Sequence, residues 1–471
     1  DSVPPVVNVG PGSPTGVCFG TGASFPAKYQ QALFACDWSY GKMYAVHLEP
    51  KGGTFSGKLE EFITGTPLPL TDVVINPHDG AMYFTIGGRK VQSGLYRVTH
   101  QATKSIPSRG ANKFAPITQQ TRRDLEKLHA GDGGNFEALE PLLGSEDRSI
   151  RYAARIALEH SPVEDWQDAA LQVADTQTKL TALLALARSY ERLSKGEPPN
   201  IDTPIPDWRN VSSDTERSRL TQRILDSVSQ LDIEDLTPNH KLQLLRILSV
   251  TFARIAPPSY EYRLAVIGYL QSSQPAETQP ISSEGAKMAV YLQAPFAAKS
   301  IVEMLEAAPT QEEQIDYAAT LRHLTVGWTP ELQERYFKWF TRAAGYEGGA
   351  SFQLFVNNIK ADAVAKLSEE DKARLQPILD AKPESDQPVF SAEPRPFVKE
   401  WTMEELVPLL ETGLKNRDFQ NGRKMFGAAK CFACHRFDNQ GGAVGPDLTS
   451  LSSPKRPLIK VRPGSPARRR P

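Results

Sequence analysis

The chain has 471 residues, enough for about two to four domains, and its 40% hydrophobic and 23% charged residues are typical of soluble globular proteins. The 54 basic and 55 acidic residues almost cancel, which argues against a surface that binds nucleic acid or membranes throughout. No apolar stretch approaches the length of a transmembrane helix, and no signal peptide is visible. The first residue is Asp1, which predicts a fragment or a processed form.

The first hundred residues predict short β-strands, because apolar residues alternate with polar ones in segments bounded by turn residues. The predicted strands cover residues 15–20, 32–38, 42–48, 70–80 with its closing turn, 81–88 and 94–99. Short strands with glycine between them are typical of propeller blades or of a sandwich. Cys18 and Cys36 lie in two of these strands, where they either form a disulfide or remain buried free thiols.

One part of this region resembles a known enzyme family. The residues DVVINPHDGAMYFTIGG at 72–88 and GLYRV at 94–98 resemble the β-propeller quinoprotein sugar dehydrogenases of the glucose and sorbosone type. The resemblance covers about two blades, whereas a closed propeller needs about four to eight. We therefore expect residues 1–105 to be the C-terminal blades of a partial propeller, with the other blades before Asp1.

The resemblance also implies a cofactor and a substrate class. In such quinoproteins PQQ takes hydride from a sugar or alcohol while a basic residue abstracts a proton. Asp72, His78 and Asp79 are candidates for such a loop, and Arg89 and Lys90 for contacts with the quinone. The other interpretation is that Asp79 begins a hairpin turn and His78 is a solvated loop residue. We favour the second interpretation and assign no catalytic residue.

Residues 118–376 predict an α-solenoid of the ARM/HEAT type, because apolar residues recur at helical spacing and each helix pair leaves a stripe that a stacked neighbour must bury. The segment 139–160 is similar to a HEAT-type helix pair, with small alanines that allow close packing. The aromatic residues between Tyr336 and Tyr346 either cap the solenoid or form a docking surface for a redox partner. A proline-rich linker follows at 377–399.

The most informative motif is the run Cys431-Phe432-Ala433-Cys434-His435. It is typical of a c-type haem attachment site, because two thiols three positions apart can reach both vinyl groups of one porphyrin and the next imidazole can ligate the iron. The alternative is a zinc or dithiol site. A four-cysteine zinc site would need a second CxxC pair, and a thioredoxin-type site would lie near a βαβ pattern; the sequence shows neither.

The residues around this motif resemble class I cytochrome c. NGRKMF at 421–426 corresponds to the helix before CxxCH in that family, and GGAVGPDL at 441–448 corresponds to the loop after it. We therefore expect residues 400–453 to form a cytochrome c-like haem domain.

The resemblance to cytochrome c implies a role for each matching residue. Cys431 and Cys434 would bind haem covalently, and His435 would be the proximal iron ligand. Pro446 and Leu448 would line the haem pocket. The carbonyl of Pro446 would accept a hydrogen bond from the other imidazole nitrogen, which fixes the orientation of the ring.

The predicted haem domain is incomplete. Methionine opposite histidine is a common axial pair, but none of the six methionines follows His435, so we expect the distal ligand to come from outside this chain or from water. Residues 454–471 form a basic, proline-rich tail that cannot build the closing helix of the family. We expect this tail to be disordered. A nucleic-acid-binding arm and an artefact of truncation or of a shifted reading frame are the alternatives.

The order of these parts resembles the large haem-binding dehydrogenase-like proteins of Planctomycetes and related bacteria. The expected fold class is multidomain α+β: partial β-propeller blades, then an α-α solenoid, then a truncated all-α cytochrome c domain. Covalent haem implies a periplasmic or otherwise extracytoplasmic location.

The expected function is electron transfer through haem c, linked to oxidation of a sugar or alcohol by a quinoprotein-like propeller, with PQQ as a second candidate cofactor and a redox protein as partner. We do not expect this chain alone to be catalytic, to bind nucleic acid or to span a membrane. The alternative is a non-catalytic extracytoplasmic scaffold, in which the solenoid recruits a partner and the propeller binds glycans.

Overall fold

The computed structural model describes residues 4–10, 12–88, 91–100, 117–193, 215–273, 276, 278–346, 352–381, 399, 402, 404–405, 408–409, 418–433, 435–437, 440–441, 448 and 459–461. Over these residues the fold is mixed α+β, with sixteen helices and antiparallel sheets. None of the described helices is long and apolar enough to cross a membrane. The chain divides into two compact units, residues 1–288 with 456–471 and residues 289–455.

Two antiparallel sheets form the N-terminal part of the first unit. The first has the strand order β1-β2-β3-β4-β10, and the second has the order β5-β6-β7. The strands of the first sheet are β1 Pro14–Phe19, β2 Leu33–Asp37, β3 Lys42–Lys51, β4 Thr54–Gly65 and β10 Ile459–Val461. Those of the second are β5 Leu70–Ile75, β6 Met82–Gly88 and β7 Val91–Val98. The short helix α1, Ala27–Gln30, precedes β2.

Both sheets contribute to one apolar core. Phe34, Met43 and Ile63 from the first sheet and Leu70 and Met82 from the second are at most 1% exposed and belong to the same cluster. The alternation of side chains along each strand turns these residues to one face, which explains why the sequence pattern predicts the strands.

The two N-terminal cysteines are free thiols. Cys36 is 1% exposed on β2, and Cys18 is half-buried on β1. Burial raises the pKa of the Cys36 thiol to about 12. The interpretation as free thiols, rather than as a disulfide, is the one that agrees with the structure.

The predicted disordered tail contains strand β10, which pairs with β4 from Ile459↔Gly65 to Val461↔Ile63. The other residues of 454–471 lie outside the described part of the chain.

The α-helices described between residues 117 and 273 belong to the first unit. They are α2 Ile117–Lys127, α3 Phe136–Leu143, α4 Arg148–His160, α5 Gln167–Gln172, α6 Thr176–Leu193, α7 Glu216–Ser229, α8 Pro238–Arg254 and α9 Tyr260–Ser272. Helix α4 packs against α2, α3 and α6, and α6 packs against α8. The buried alanines 153, 154 and 157 of α4 lie in this packing, as the sequence predicts. Two buried charged residues of α4, Arg155 and Glu159, were not predicted.

Helix α10, Gln279–Tyr291, spans the division between the two units. The helices whose bounds are described in the second unit are α11 Ala297–Ala307, α12 Gln311–Leu321, α13 Pro330–Ala343, α14 Phe352–Ala365, α15 Glu369–Leu379 and α16 Phe419–Ala428. Helix α15 continues into the first three residues of the predicted linker 377–399, because it packs against α13 and buries Leu375 completely.

The aromatic residues of α13 are core residues. Tyr336, Phe337, Trp339 and Phe340 are 2–4% exposed, and the Trp339 and Phe340 ring centroids lie 4.9 Å apart in an edge-to-face arrangement. Because these four side chains are buried, the interpretation as a docking surface for a redox partner is wrong for them. The interpretation as aromatic packing is confirmed.

Candidate functional site

A capped helix leads into the CxxCH motif. Helix α16 begins after Asp418, whose carboxylate accepts hydrogen bonds from the backbone amides of Gln420 (2.9 Å) and Asn421 (3.1 Å). The helix ends at Ala428, and Lys430 adopts a left-handed conformation with φ of 56°. A left-handed residue just after a helix stops it and redirects the chain. The position of Lys430 therefore sets where the motif begins.

The motif itself forms a compact turn. Residues Cys431–Ala433 make one turn of 3-10 helix, and the amide of His435 donates a hydrogen bond to the carbonyl oxygen of Cys431 over 2.9 Å. A bond from residue i+4 to residue i closes one turn of backbone. Cys431 and His435 therefore lie at the two ends of one closed turn.

The Cys431 and His435 side chains are partly open to solvent. Cys431 is half-buried and has a free thiol, and His435 is half-buried. Directly after His435, strand β8 (Arg436–Phe437) pairs with β9 (Gln440–Gly441), so the segment predicted as all-α also contains a short hairpin. The backbone of this hairpin holds the residue that follows His435.

The remaining predicted haem-site residues are less completely described. Leu448 is half-buried. Cys434 and Pro446 lie outside the described residues. The described part of the site thus has three features of a haem attachment motif: one closed turn, a free thiol at its first residue and an imidazole at its last.

Over the described residues there is no group of three or more histidine, cysteine, aspartate or glutamate side chains arranged to hold a metal ion. A haem attachment site takes only one such ligand from this motif, the imidazole, so it does not require a cluster.

No protein-family model, curated protein or solved structure matches this chain. The roles of Cys431, Cys434 and His435 therefore rest on the motif and its local geometry.

Asp79 and His78, in the loop that resembles quinoproteins, have structural roles in a turn. The carboxylate of Asp79 accepts hydrogen bonds from the amide of Ala81 and from Nη2 of Arg97, each over 2.9 Å. Both hydrogen bonds lower the pKa of Asp79, and the bond from the Ala81 amide has the larger effect. His78 is exposed, and its amide bonds to the side chain of Asn76. The turn interpretation of Asp79 is confirmed.

Of the other candidates near that loop, only Asp72 is described. Asp72 lies on β5, where its carboxylate accepts a hydrogen bond from the next amide, that of Val73. Arg89 and Lys90 lie outside the described residues.

A second candidate site was missed by sequence analysis. Helices α4, α6 and α8 surround a cleft of about 620 Å³. Four arginines line it: Arg148, Arg151 and Arg155 from α4, and Arg246 from α8. The spacing of three and four residues between the α4 arginines places them on one helix face. That spacing was the available signal in the sequence.

Proposed function

We propose that this chain is a c-type haem-binding electron-transfer protein of an extracytoplasmic compartment. Cys431 and Cys434 attach the haem, and His435 holds the iron as proximal ligand. The observation that carries this proposal is the turn in which the amide of His435 bonds to the carbonyl of Cys431, because it brings a free thiol and an imidazole into one closed turn of backbone. When bound, the haem supplies one-electron transfer.

The surrounding residues have supporting roles in this proposal. Pro446 and Leu448 line the haem pocket, and the carbonyl of Pro446 orients the imidazole of His435. The left-handed Lys430 and the β8–β9 hairpin hold the two ends of the motif in place. Such support limits the motion of the imidazole and so favours a stable ligand position.

The proposal extends to the architecture. The two antiparallel sheets are blades of a partial β-propeller, and the helices from α2 to α15 form an ARM/HEAT-like solenoid. The packing of α4 on α6 and of α6 on α8, each through buried apolar residues, supports the stacking of helix pairs. A redox protein is the proposed partner. A sugar or alcohol oxidised at a quinoprotein-like propeller, with PQQ as its candidate cofactor, is the proposed source of electrons.

The test is periplasmic expression of the full chain in a host with a haem c maturation system. We expect a red protein whose haem stain survives denaturing electrophoresis, because thioether bonds resist denaturation. The double variant Cys431→Ser, Cys434→Ser should be folded and colourless. Cys18→Ser, which removes a half-buried free thiol elsewhere, should keep the stain. A folded but colourless wild-type protein would contradict the proposal.

A second candidate function is a non-catalytic binding scaffold. It is favoured by the bonding of Asp79, because a carboxylate that accepts bonds from its own turn and from Arg97 is occupied in a structural role. Dye reduction with added PQQ and a panel of sugars and alcohols separates the two functions. The assay is made on a full-length relative with a complete propeller, because this chain alone is not expected to be catalytic. Turnover by that relative supports the dehydrogenase-linked function, and its absence supports the scaffold.

A further inference from the structure

We propose that the cleft between α4, α6 and α8 binds a small molecule that carries phosphate groups. This site lies apart from the CxxCH motif in sequence, and the proposal does not depend on haem attachment. Its volume of about 620 Å³ lies in the range of small-molecule sites, about 300–1,000 Å³.

The charge of the lining points to an anion. The charged side chains that line the cleft, over the described residues, are the four arginines, one carboxylate (Glu146) and the titratable His240. Arg155 forms a buried ion pair with Glu159, which also pairs with Arg188, so one negative charge is shared by two guanidinium groups. Arg151 bonds to the carbonyl oxygens of Ser145 and Glu146, which do not cancel its charge. The positive charge of the cleft is therefore only partly balanced by the protein.

The arginines also repel one another. Burial lowers the pKa of Arg151, and the charge of Arg148 adds to this effect. Burial, and then the charges of Arg188 and Arg246, lower the pKa of Arg155 to about 10. The repulsion between positive charges that a fold holds close together falls when an anion binds among them. A guanidinium also matches phosphate geometry with two parallel hydrogen bonds.

The other wall of the cleft supplies further donors. Helix α8 begins after the cap residue Thr237, so its N-terminal turn, which includes Asn239 and His240, faces the cleft with the positive end of the helix. Nδ1 of His240 is buried and makes no hydrogen bond to any described residue. A buried ring nitrogen without a hydrogen bond favours the binding of a ligand whose atoms can form that bond.

The cleft is held in shape before any ligand binds. Nε2 of Gln177 on α6 donates to Oε1 of Gln243 on α8 over 2.9 Å, which ties the two helices together at the cleft. Leu184 and Leu242 give the lining an apolar part. A preformed site with an apolar part and convergent charged groups suits a phosphate ester better than a bare ion, because the organic portion can contact the leucines.

Arg246 is the residue to test first. It is exposed and makes no hydrogen bond or ion pair with any described residue, so its replacement should not disturb folding. Isothermal titration of the full chain with pyrophosphate at low salt should give saturable binding with one site. We expect Arg246→Gln to weaken this binding about tenfold or more, the loss of one charge-assisted bond. Arg151→Gln should weaken it similarly, with folding checked by circular dichroism.

The matched control is Arg223→Gln on α7. Arg223 pairs with Asp168 on the surface and does not line the cleft, so this variant should bind pyrophosphate as wild type does. No saturable binding to wild type would overturn the proposal, and so would equal weakening in all three variants. Citrate binding as tightly as pyrophosphate would overturn the phosphate class and assign the cleft to carboxylates.

Discussion

Arg188 on α6 donates a hydrogen bond from Nε to Oε1 of Glu159 on α4 over 2.8 Å. The same carboxylate pairs with Arg155 one helical turn away. The side chains of Arg155 and Glu159 are 4% and 8% exposed. One buried carboxylate thus holds two guanidinium groups and joins two helices.

The variant Glu159→Gln should destabilise the protein strongly. It leaves the buried Arg155 without its counter-charge, and removal of one partner from a buried pair costs about 3–5 kcal/mol. The midpoint of urea unfolding, followed by circular dichroism, measures the loss. The control Asp168→Asn removes a partner of Arg223 that is 71% exposed, and it should cost less than about 1 kcal/mol. Equal midpoints for the two variants would contradict the role of Glu159.

The first sheet should lose stability in acid because of Glu60. Burial opposes ionisation of Glu60, but hydrogen bonds from His47, Tyr29 and Lys28 outweigh it and lower its pKa from 4.5 to about 2. A carboxylate with a lowered folded-state pKa stabilises the fold above its ordinary pKa. This contribution is therefore fully present above pH 4.5 and is lost as the pH falls towards 2.

Unfolding midpoints between pH 7 and pH 2 test the contribution of Glu60. Glu60→Gln should lower stability at pH 7 by about 1 kcal/mol, given solvent screening, and the difference from wild type should vanish near pH 2. Glu49→Gln disrupts an exposed pair with Lys58 on the same two strands, and it should retain the wild-type pH profile. A Glu60→Gln protein whose difference from wild type is constant with pH would refute this account.

Gln293 should be essential to the connection between α10 and α11. It is 5% exposed with φ of 50°. Nε2 of its side chain donates hydrogen bonds to the backbone carbonyls of Val290 (2.8 Å) and His323 (3.1 Å). Its amide oxygen accepts bonds from the amide (2.9 Å) and the hydroxyl (2.7 Å) of Thr325. Gln293→Ala leaves these groups without their bonds and should cost about 2 kcal/mol or more.

Hydrogen exchange resolved by mass spectrometry measures this effect locally. Peptides within residues 290–328 should exchange faster in Gln293→Ala. Gln376→Ala removes an exposed bond from α15 to Asp380, the residue that follows this helix. It should change the free energy of opening by less than about 0.5 kcal/mol. Unchanged protection of these peptides in Gln293→Ala would show that the bonds are dispensable.

The turn before the CxxCH motif should become more stable with glycine at position 430. Lys430 has φ of 56°, and a side chain in this region costs about 1 kcal/mol that glycine avoids. Lys430→Gly should therefore slow hydrogen exchange in residues 419–437. Lys424→Gly places glycine inside α16 at an exposed position. It should destabilise the helix by about 0.5–1 kcal/mol and therefore speed exchange. A shift in the same direction for both variants would contradict the importance of the left-handed conformation.

Local patterns predicted much of the N-terminal sheets. Strands β1, β2, β3, β5, β6 and β7 each overlap a segment predicted from alternation. Strand β4, Thr54–Gly65, was not predicted, because lysine and glutamates interrupt its apolar pattern. Those charges find partners on β3 and α1, including His47 and Lys28 for Glu60. The pairing register, which local sequence does not encode, makes this strand possible.

In the helices, too, local sequence predicted the packing face but not the buried charges. The small alanines of α4 predicted its packing face, yet the burial of Arg155 and Glu159 on that helix depends on Arg188, which lies 29 residues after Glu159. A window of one helix cannot contain that partner. Likewise, the arginine spacing on α4 is visible in the sequence, but the cleft exists only because Arg246 and the N-terminal turn of α8 lie opposite.

The sequence by itself determined the CxxCH pattern and the alternation of β- and α-forming segments, because spacing and local hydrophobicity act over a few residues. The tertiary structure decided which charged side chains are buried, which arginines share a cleft and which thiols stay free. These outcomes depend on desolvation and on charges brought close by packing between distant segments, and neither quantity is defined until the chain has folded.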